Sequence, residues 1–300
     1  MKKPDQFFET NFYPCNLRLL KPYPLYGKYC LLLLNSILLL NKPGAQTLRR
    51  PVTAAYTGFG AYSLNHADVF SFTANQASLA QLKSTAAGLF GERKFLLNEL
   101  NSYAAVAGIT TSSGNFGLKT GYSGFSDYNE TQIGLAYGRK LGSKTDIGAQ
   151  FNYNGIRIAG YGSAAAISFE AGVIIHLTDK LHTGMHVSNP VGGKFGKDQQ
   201  EQLASVYSLG LGYEASEKFL VSAEIQKEED QPVDVHAGLQ YRLIPQLMVR
   251  AGISSATTSA WAGAGLSLKS FRMDITSSWH PQLGITPGLL LLFHLNRNGK

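Results

Sequence analysis

The stretch Phe271–Trp279, FRMDITSSW, alternates between apolar and polar side chains, with Phe, Met, Ile and Trp at odd positions and Arg and Asp at even ones. The same period of two recurs in VHAGLQYRL (235–243) and in FLVSAEIQ (219–226). A period of two over eight or nine residues predicts β-strands with one apolar and one polar face. The open question is whether the apolar face meets a protein core or a lipid bilayer.

The connections between these segments answer that question. Six are tight turns, at 111–114, 142–144, 178–180, 215–218, 244–246 and 269–270. The intervening ones are longer, at 124–130, 154–162, 189–202, 227–232, 254–259 and 280–287. In an up-and-down meander every second connection lies at the same end, so all the long connections gather on one side. This asymmetry is typical of outer-membrane β-barrels and is not expected of a two-sheet sandwich.

The chain therefore predicts an all-β protein, a transmembrane antiparallel up-and-down β-barrel of about fourteen strands. The predicted strands lie near 86–95, 102–110, 115–124, 130–141, 145–154, 163–177, 181–188, 204–214, 219–227, 233–243, 247–254, 260–268, 271–279 and 287–295. An even number of strands places both ends of the barrel on the periplasmic side. The lengths are near the ~9–11 residues of a tilted membrane-spanning strand.

Composition supports a membrane protein over a nucleic-acid-binding one. Charged residues make up 16% of the chain, below the roughly 25% of soluble domains. The formal charge is +7, but residues 1–45 hold six of the 27 basic side chains and only two of the 20 acidic ones. The remaining chain carries a charge of only +3, without a Lys/Arg run. We therefore expect no nucleic-acid partner.

The N-terminal extension, residues 1–45, is expected to end in a secretory signal peptide. Lys28 precedes an apolar run from Cys30 to Leu40, and the small pair Gly44-Ala45 follows it. That run is shorter than the ~20 residues of a membrane-spanning helix. The position of the true start codon is left open. Both cysteines, Cys15 and Cys30, fall in this extension, so the mature chain is expected to have no disulfide or thiol chemistry.

Residues 46–84 alternate poorly and are expected to be rich in turns, with one helical turn near Ala77–Leu82. Their number suits a hatch or plug inside the barrel, which would span 85–295 and be followed by a short tail, 296–300. A periplasmic tail packed beneath the barrel is an equally good interpretation of the same residues.

Two short motifs resemble known barrels. The run GFGAY (58–62) and the run NQASLA (75–80) resemble the N-terminal signature of the FadL-type outer-membrane barrels, including the PorV/PorQ-like barrels of Bacteroidetes. The second run departs from the family pattern at Gln76, where the family has Pro, and at Ser78, where it has Gly. The resemblance covers roughly residues 51–295 and implies fourteen strands. It also implies a movable hatch whose candidate residues here are Asn75, Ala77 and Leu79.

The inward faces of the predicted strands should form a polar lumen. The candidate lumen-lining or ligand-contacting residues are Glu170, Glu224, His236, Gln240, Arg242, Arg250, Arg272 and Asp274. The three arginines could attract a substrate carboxylate. The stronger interpretation is that these charges only offset one another, because every barrel interior needs polar residues whatever its function.

No catalytic or metal site is expected. His176, His182 and His186 share one strand face beside the turn at 178–180, but no carboxylate partner is evident from the sequence, so we expect no metal there. The chain has no Gly-x-Ser-x-Gly nucleophile elbow and no persuasive Ser, His and Asp set. We expect a protein that is not an enzyme and binds no cofactor.

Two functions remain open. The FadL resemblance implies a passive uptake channel for hydrophobic or amphipathic small molecules in the bacterial outer membrane. The PorV/PorQ side of the resemblance implies a structural or shuttle component of a type IX-like protein secretion system. The expected partners are outer-membrane lipid and either a hydrophobic small molecule or secretion-system proteins. Connections of modest length leave little room for a large docking surface and favour transport.

Overall fold

The computed structural model describes residues 45–46, 54–195, 201–256 and 259–295, all of which belong to the unit Pro43–Lys300. The expected signal peptide, residues 47–53 and the tail 296–300 lie outside the described residues, apart from Ala45 at the end of the extension. None of the described helices is long and apolar enough to cross a bilayer.

Fourteen strands form a closed antiparallel barrel, as predicted. They are β1 Ala86–Arg93, β2 Asn101–Thr111, β3 Gly114–Gly124, β4 Tyr128–Leu141, β5 Thr145–Ile158, β6 Gly162–His176, β7 Leu181–Ser188, β8 Val206–Ser216, β9 Phe219–Glu228, β10 Asp234–Ile244, β11 Leu247–Ser254, β12 Ser259–Leu268, β13 Phe271–His280 and β14 Gly284–His294. Each strand pairs with its neighbours in sequence, and β14 closes the barrel on β1. This topology confirms the up-and-down β-barrel.

The asymmetry of the connections is real but smaller than predicted. At one end the turns span 112–113, 142–144, 177–180, 217–218, 245–246 and 269–270. At the other end the predicted loop at 154–162 shrinks to 159–161, and the one at 280–287 shrinks to 281–283, because β5, β6 and β14 continue their ladders further than their sequence alternation indicated. The long connection 189–205 remains. We call its end the outer end, since long loops face outward in bacterial barrels.

The apolar faces of the strands lie on the outside of the barrel. Exposed fractions reach 66% at Leu135, 64% at Phe151, 70% at Ile167 and 63% at Ile275. The intervening residues of these strands face the interior, where most of the polar side chains are buried. A continuous apolar outer wall around a polar interior is the arrangement that a bilayer stabilises, so the apolar face meets lipid.

Short elements complete the fold. A small sheet at the outer connection joins Ala45–Gln46, Glu201–Leu203 and Lys194–Phe195. The helix α1, Ala54–Thr57, and the 3₁₀ helices Ser71–Thr73 and Gln76–Gln81 precede the barrel, the last of them at the expected helical turn. Two further 3₁₀ turns, Lys94–Leu96 and Asn98–Leu100, join β1 to β2.

Candidate functional site: the barrel lumen

Residues 54–85, here called the lumen segment, lie inside the barrel against its inner wall. Glycines on the inward faces leave room for the close approach. A Cβ on Gly148 would overlap the backbone of Gln76, and one on Gly212 would overlap the carbonyl oxygen of Tyr62. These glycines occupy inward positions of β5 and β8 and are visible in the sequence. The prediction rested on the alternation of large side chains and therefore did not use them.

An apolar cluster inside the barrel departs from the wholly polar lumen that was expected. Phe70, Phe72 and Leu79 of the lumen segment pack with inward residues of the wall, including Leu290 and Leu292 of β14, and all five are at most 2% exposed. Burial of such side chains contributes roughly 1.5–3 kcal/mol each. The uniformly apolar run of β14 is explained because its outward residues meet lipid while its inward residues meet the segment.

The three expected hatch residues lie within this packed segment. Asn75 is fully buried, and its Oδ1 accepts a hydrogen bond from the backbone N–H of Ala77 at 3.1 Å, capping the helix Gln76–Gln81. Its Nδ2 donates to the carbonyl oxygen of Met185 in β7 at 3.1 Å. Ala77 and Leu79 are buried beside it. Asn75 therefore joins a helix start to the barrel wall.

Three of the predicted lumen residues form a buried charge cluster with Asp68 of the lumen segment. Arg272 Nη2 lies 2.7 Å from Asp68 Oδ2, and Arg272 Nε lies 3.0 Å from Asp274 Oδ1. Arg250 approaches the same two carboxylates at 3.5 and 3.8 Å. Two guanidinium groups and two carboxylates thus balance in charge. The arginines contact carboxylates of the protein itself, which is the stronger of the two interpretations offered by the sequence.

Burial and charge act on the titratable groups of the lumen segment beside this cluster. Burial by itself would raise the pKa of the Asp68 carboxyl, but the guanidinium groups of Arg272 and Arg250 outweigh it and hold that pKa below its ordinary value. Burial raises the pKa of Tyr56 to about 12, and the Tyr56 hydroxyl donates to Asp274 Oδ2 at 3.2 Å.

Gln240 continues this polar interior. Its Oε1 accepts a hydrogen bond from Arg250 Nε at 2.6 Å, and its Nε2 lies 2.6 Å from His66 Nδ1. Burial lowers the pKa of His66, so the ring is neutral at pH 7 and its Nδ1 accepts from the amide. Arg242 lies on the same inward face of β10, half-buried nearer the tight-turn end, and does not join the charge cluster.

Glu224 and His236 lie apart from the charge cluster. The Tyr62 hydroxyl donates to Glu224 Oε2 at 2.6 Å, and His236 Nε2 lies 3.1 Å from Asp234 Oδ2. Both line a small pocket of about 40 Å³ bounded by Tyr62 and Trp261.

Glu170 connects the wall to the lumen segment. Its Oε2 accepts a hydrogen bond from Gln76 Nε2 at 2.6 Å and lies 2.9 Å from His186 Nε2. Its Oε1 accepts from Asn152 Nδ2 at 2.8 Å. Gln76 is the residue that stands where the resembling family has Pro, and here its side chain makes this contact.

The histidines have carboxylate partners that the sequence did not reveal. His176 Nε2 lies 2.8 Å from Asp146 Oδ2, its Nδ1 lies 2.9 Å from His182 Nδ1, and His182 Nε2 lies 3.4 Å from Glu214 Oε1. The expectation of no carboxylate was wrong: the partners of His176 and His182 come from β5 and β8, and His186 pairs with Glu170 of the neighbouring strand β6. Within the described part of the chain, no group of three or more His, Cys, Asp or Glu residues is arranged to hold a metal ion.

A cavity of about 220 Å³ lies above the lumen segment, toward the outer end. Thr73 of the segment forms its floor, and Leu203 and Ala204 of the outer connection border it. Most of its wall residues are of polar type, although their apolar atoms also face the cavity; they are Lys119, Gln132, Asn154, Ser168, Glu170, Ser188, Asn189, Val206, Gln226 and Glu228. Of the eight lumen residues predicted from the sequence, only Glu170 lines this cavity.

A row of hydrogen-bonded side chains crosses the cavity wall. Gln132 Nε2 donates to Asn154 Oδ1 at 3.0 Å, and Asn154 Nδ2 donates to Ser168 Oγ at 3.0 Å. The lumen residues predicted from the sequence do not include this row, because all of them except Glu170 lie in β9 to β13. The same alternation would have placed these residues on the inward face.

The similarity of this chain to known proteins lies in its fold. No family model and no curated protein matches the chain. Among solved structures, the Pseudomonas putida toluene transporter TodX has a TM-score of 0.57 at 11% identity, covering 77% of this chain and 95% of that one. The Ralstonia pickettii toluene transporter TbuX gives 0.54 at 11%, covering 76% and 94%. A Pseudomonas aeruginosa FadL homologue gives 0.53 at 13%, covering 85% and 99%.

At these identities the similarity concerns the fold alone. It confirms the FadL-like barrel that the motifs at 58–62 and 75–80 indicated, and it gives no support to the PorV/PorQ-like alternative. The chain therefore has the fold of the FadL-type outer-membrane channels.

Proposed function

We propose that this protein is a passive uptake channel of the outer membrane for small amphipathic molecules. The observation that carries the proposal is the cavity between the outer connection and the lumen segment. It lies where a molecule entering from outside would first be held, directly above the segment that fills the lower lumen. The fold shared with two toluene transporters supports the transport function.

The lining of the cavity favours amphipathic over purely apolar substrates, the two options that the sequence left open. Gln132, Asn154 and Ser168 present polar side chains to the cavity, so a ligand with a polar head group can hydrogen-bond there, whereas a hydrocarbon cannot. At about 220 Å³ the cavity is below the ~300–1,000 Å³ of pockets for drug-sized ligands, so it suits a head group with part of a short chain.

Passage to the periplasm requires the lumen segment to move, because it fills the barrel below the cavity. The segment is held by hydrogen bonds that can re-form with water, such as those of Asn75 and Gln76. The hatch role of Asn75, Ala77 and Leu79 remains part of this proposal. Nothing in the comparisons favours the secretion-system alternative.

The test locks the segment to the wall by a disulfide. An ideal Cβ on Gly172 would lie 2.9 Å from Asn75 Cγ, which brings the two positions within the Cβ···Cβ range of a disulfide. Residues 31–300 contain no native cysteine, so the double variant Asn75→Cys/Gly172→Cys forms one defined bond in the mature chain. Uptake of radiolabelled octanoate and toluene is measured in Gram-negative cells that lack their own hydrophobic channels.

We expect the wild type to carry octanoate in preference to toluene. The oxidised double variant should carry neither, and reduction of that variant should restore uptake. The reduced form is the matched control, since it has the same substitutions without the bond. Failure of the wild type to raise uptake of either compound would refute the channel. Equal uptake by the oxidised and reduced forms would refute the proposed movement of the lumen segment but not the channel itself.

A further inference from the structure

The seam between β14 and β1 is incomplete at the outer end. The β14–β1 ladder ends at the pair Gly288↔Glu92, although β14 begins four residues earlier, at Gly284. The next pair in register would join Pro287 to Arg93, and proline has no N–H to donate. Residues 284–287 pair only with β13. The barrel wall is therefore notched between the outer end of β14 and the neighbouring strands.

The chain leaves β1 at this notch through a strained turn. Phe95 and Leu96, which follow Arg93, have φ of 54° and 61°, values uncommon for residues other than glycine. The backbone N–H of Phe95 donates to Thr286 Oγ1 at 3.0 Å, a contact that takes the connection 94–100 across the end of β14. The connection 94–100 therefore covers the outer end of the notch, while the side of the notch that faces lipid stays open.

A groove of about 730 Å³ occupies the notch on the outer wall. Its sides are the outward apolar side chains of Leu89, Tyr103, Ile275 and Leu289, which are 43–63% exposed. At the floor of the groove lies Gly91, which faces outward and has no side chain. The sides of the groove are apolar, as contact with an acyl chain requires.

The upper end of the groove is polar and cationic. Arg93, Asn98 and Asn101 line it, together with the inward-facing Glu92, where the strands reach the level of the lipid head groups. Arg93 is exposed, and within the described ranges it makes no ion pair with a carboxylate, whereas the adjacent Lys94 lies 3.6 Å from Glu92. An unneutralised guanidinium beside two side-chain amides matches the oxygen atoms of a phosphate group.

We propose that this groove is a binding site for one phosphate-bearing lipid of the outer leaflet, with an acyl chain over Gly91 and the phosphate at Arg93. A lipid is favoured over a protein partner because the groove lies on a wall that already faces the acyl chains of the bilayer, while Arg93 supplies a charge complementary to phosphate. The site lies on the outside of the barrel and is independent of the channel proposed above.

The test is native mass spectrometry of the purified barrel, titrated with phosphatidylglycerol and with a diacylglycerol of the same acyl chains. We expect one phosphatidylglycerol per barrel, bound about tenfold more tightly than the diacylglycerol, as a charge-assisted contact implies. Arg93→Gln should remove that preference. Gly91→Leu should weaken the binding of both lipids, because the new side chain fills the floor of the groove. The neighbouring Tyr103 can move aside because it points into lipid.

Arg157 provides the matched control. It is an exposed cation on the outward face near the outer end of β5 and does not line the groove, so Arg157→Gln should leave binding unchanged. Heat-modifiable migration on gels verifies that each variant is folded. Unchanged binding in both Arg93→Gln and Gly91→Leu would overturn the site. An equal loss in Arg157→Gln would also overturn it, by showing that general surface charge is responsible.

Discussion

Removing one charge from the cluster of Asp68, Arg250, Arg272 and Asp274 should destabilise the folded barrel by about 3 kcal/mol. Asp68→Asn keeps the shape of the side chain but leaves two guanidinium groups facing one carboxylate. The side chains of Arg250 and Asp274 are 2% and 0% exposed, so water cannot compensate. Breaking one partner of a buried ion pair typically costs ~3–5 kcal/mol, and the amide retained in Asn places this variant at the lower end.

The assay is urea unfolding in lipid vesicles, followed by tryptophan fluorescence. Trp261 is a suitable reporter because Tyr56 and Phe59 of the lumen segment pack edge-on against it, with ring centroids 5.4 and 5.6 Å away. Asp179→Asn, an exposed aspartate in the turn 177–180, is the control and should change stability by less than ~0.5 kcal/mol.

The pH dependence sharpens this prediction. The folded-state pKa of Asp68 is held below the 3.8 of an unperturbed carboxyl, so its stabilisation is present above about pH 4 and is lost as the pH falls through the folded value. The difference in unfolding free energy between wild type and Asp68→Asn should therefore close in acid. The double variant Asp68→Asn/Arg272→Gln should recover part of the loss at pH 7 by restoring charge balance. A difference in unfolding free energy under ~1 kcal/mol at pH 7, or a difference that persists unchanged at pH 3, would refute the reasoning.

Three further outcomes are expected. Asn75→Ala should lower the unfolding free energy by ~1–3 kcal/mol in the same urea assay, because it removes both the helix cap and the side-chain hydrogen bond to the wall at Met185. Gly148→Ala should displace the lumen segment at Gln76 and raise hydrogen exchange over residues 70–82, without changing the heat-modifiable migration of the barrel. His182→Leu should destabilise the fold by ~1–3 kcal/mol, because Glu214 loses a buried partner, and unchanged unfolding would contradict the contact.

Two of the structural neighbours are toluene transporters, and toluene carries no polar group. In this chain, polar side chains such as Lys119 and Asn154 line the cavity above the lumen segment, and the proposed preference for an amphipathic substrate rests on them.

The sequence by itself determined the wall of this barrel. A period of two assigns each side chain to one face, and FRMDITSSW at 271–279 placed Ile275 toward lipid and Asp274 inside, where the structure has them. The parity of the fourteen strands and the position of the tight turns followed from the same local rule. These features depend on neighbouring residues only, which is why a single sequence was sufficient to predict them.

Only the tertiary structure decided what the lumen contains. Asp68 meets Arg272 across 204 positions of sequence, and the carboxylate partners of His176 and His182 come from other hairpins. Alternation gives the face of a side chain but not its height, its partner across the barrel or the path of the segment inside. Closure of β14 on β1 sets those relations, because it brings together residues that the chain separates by most of its length.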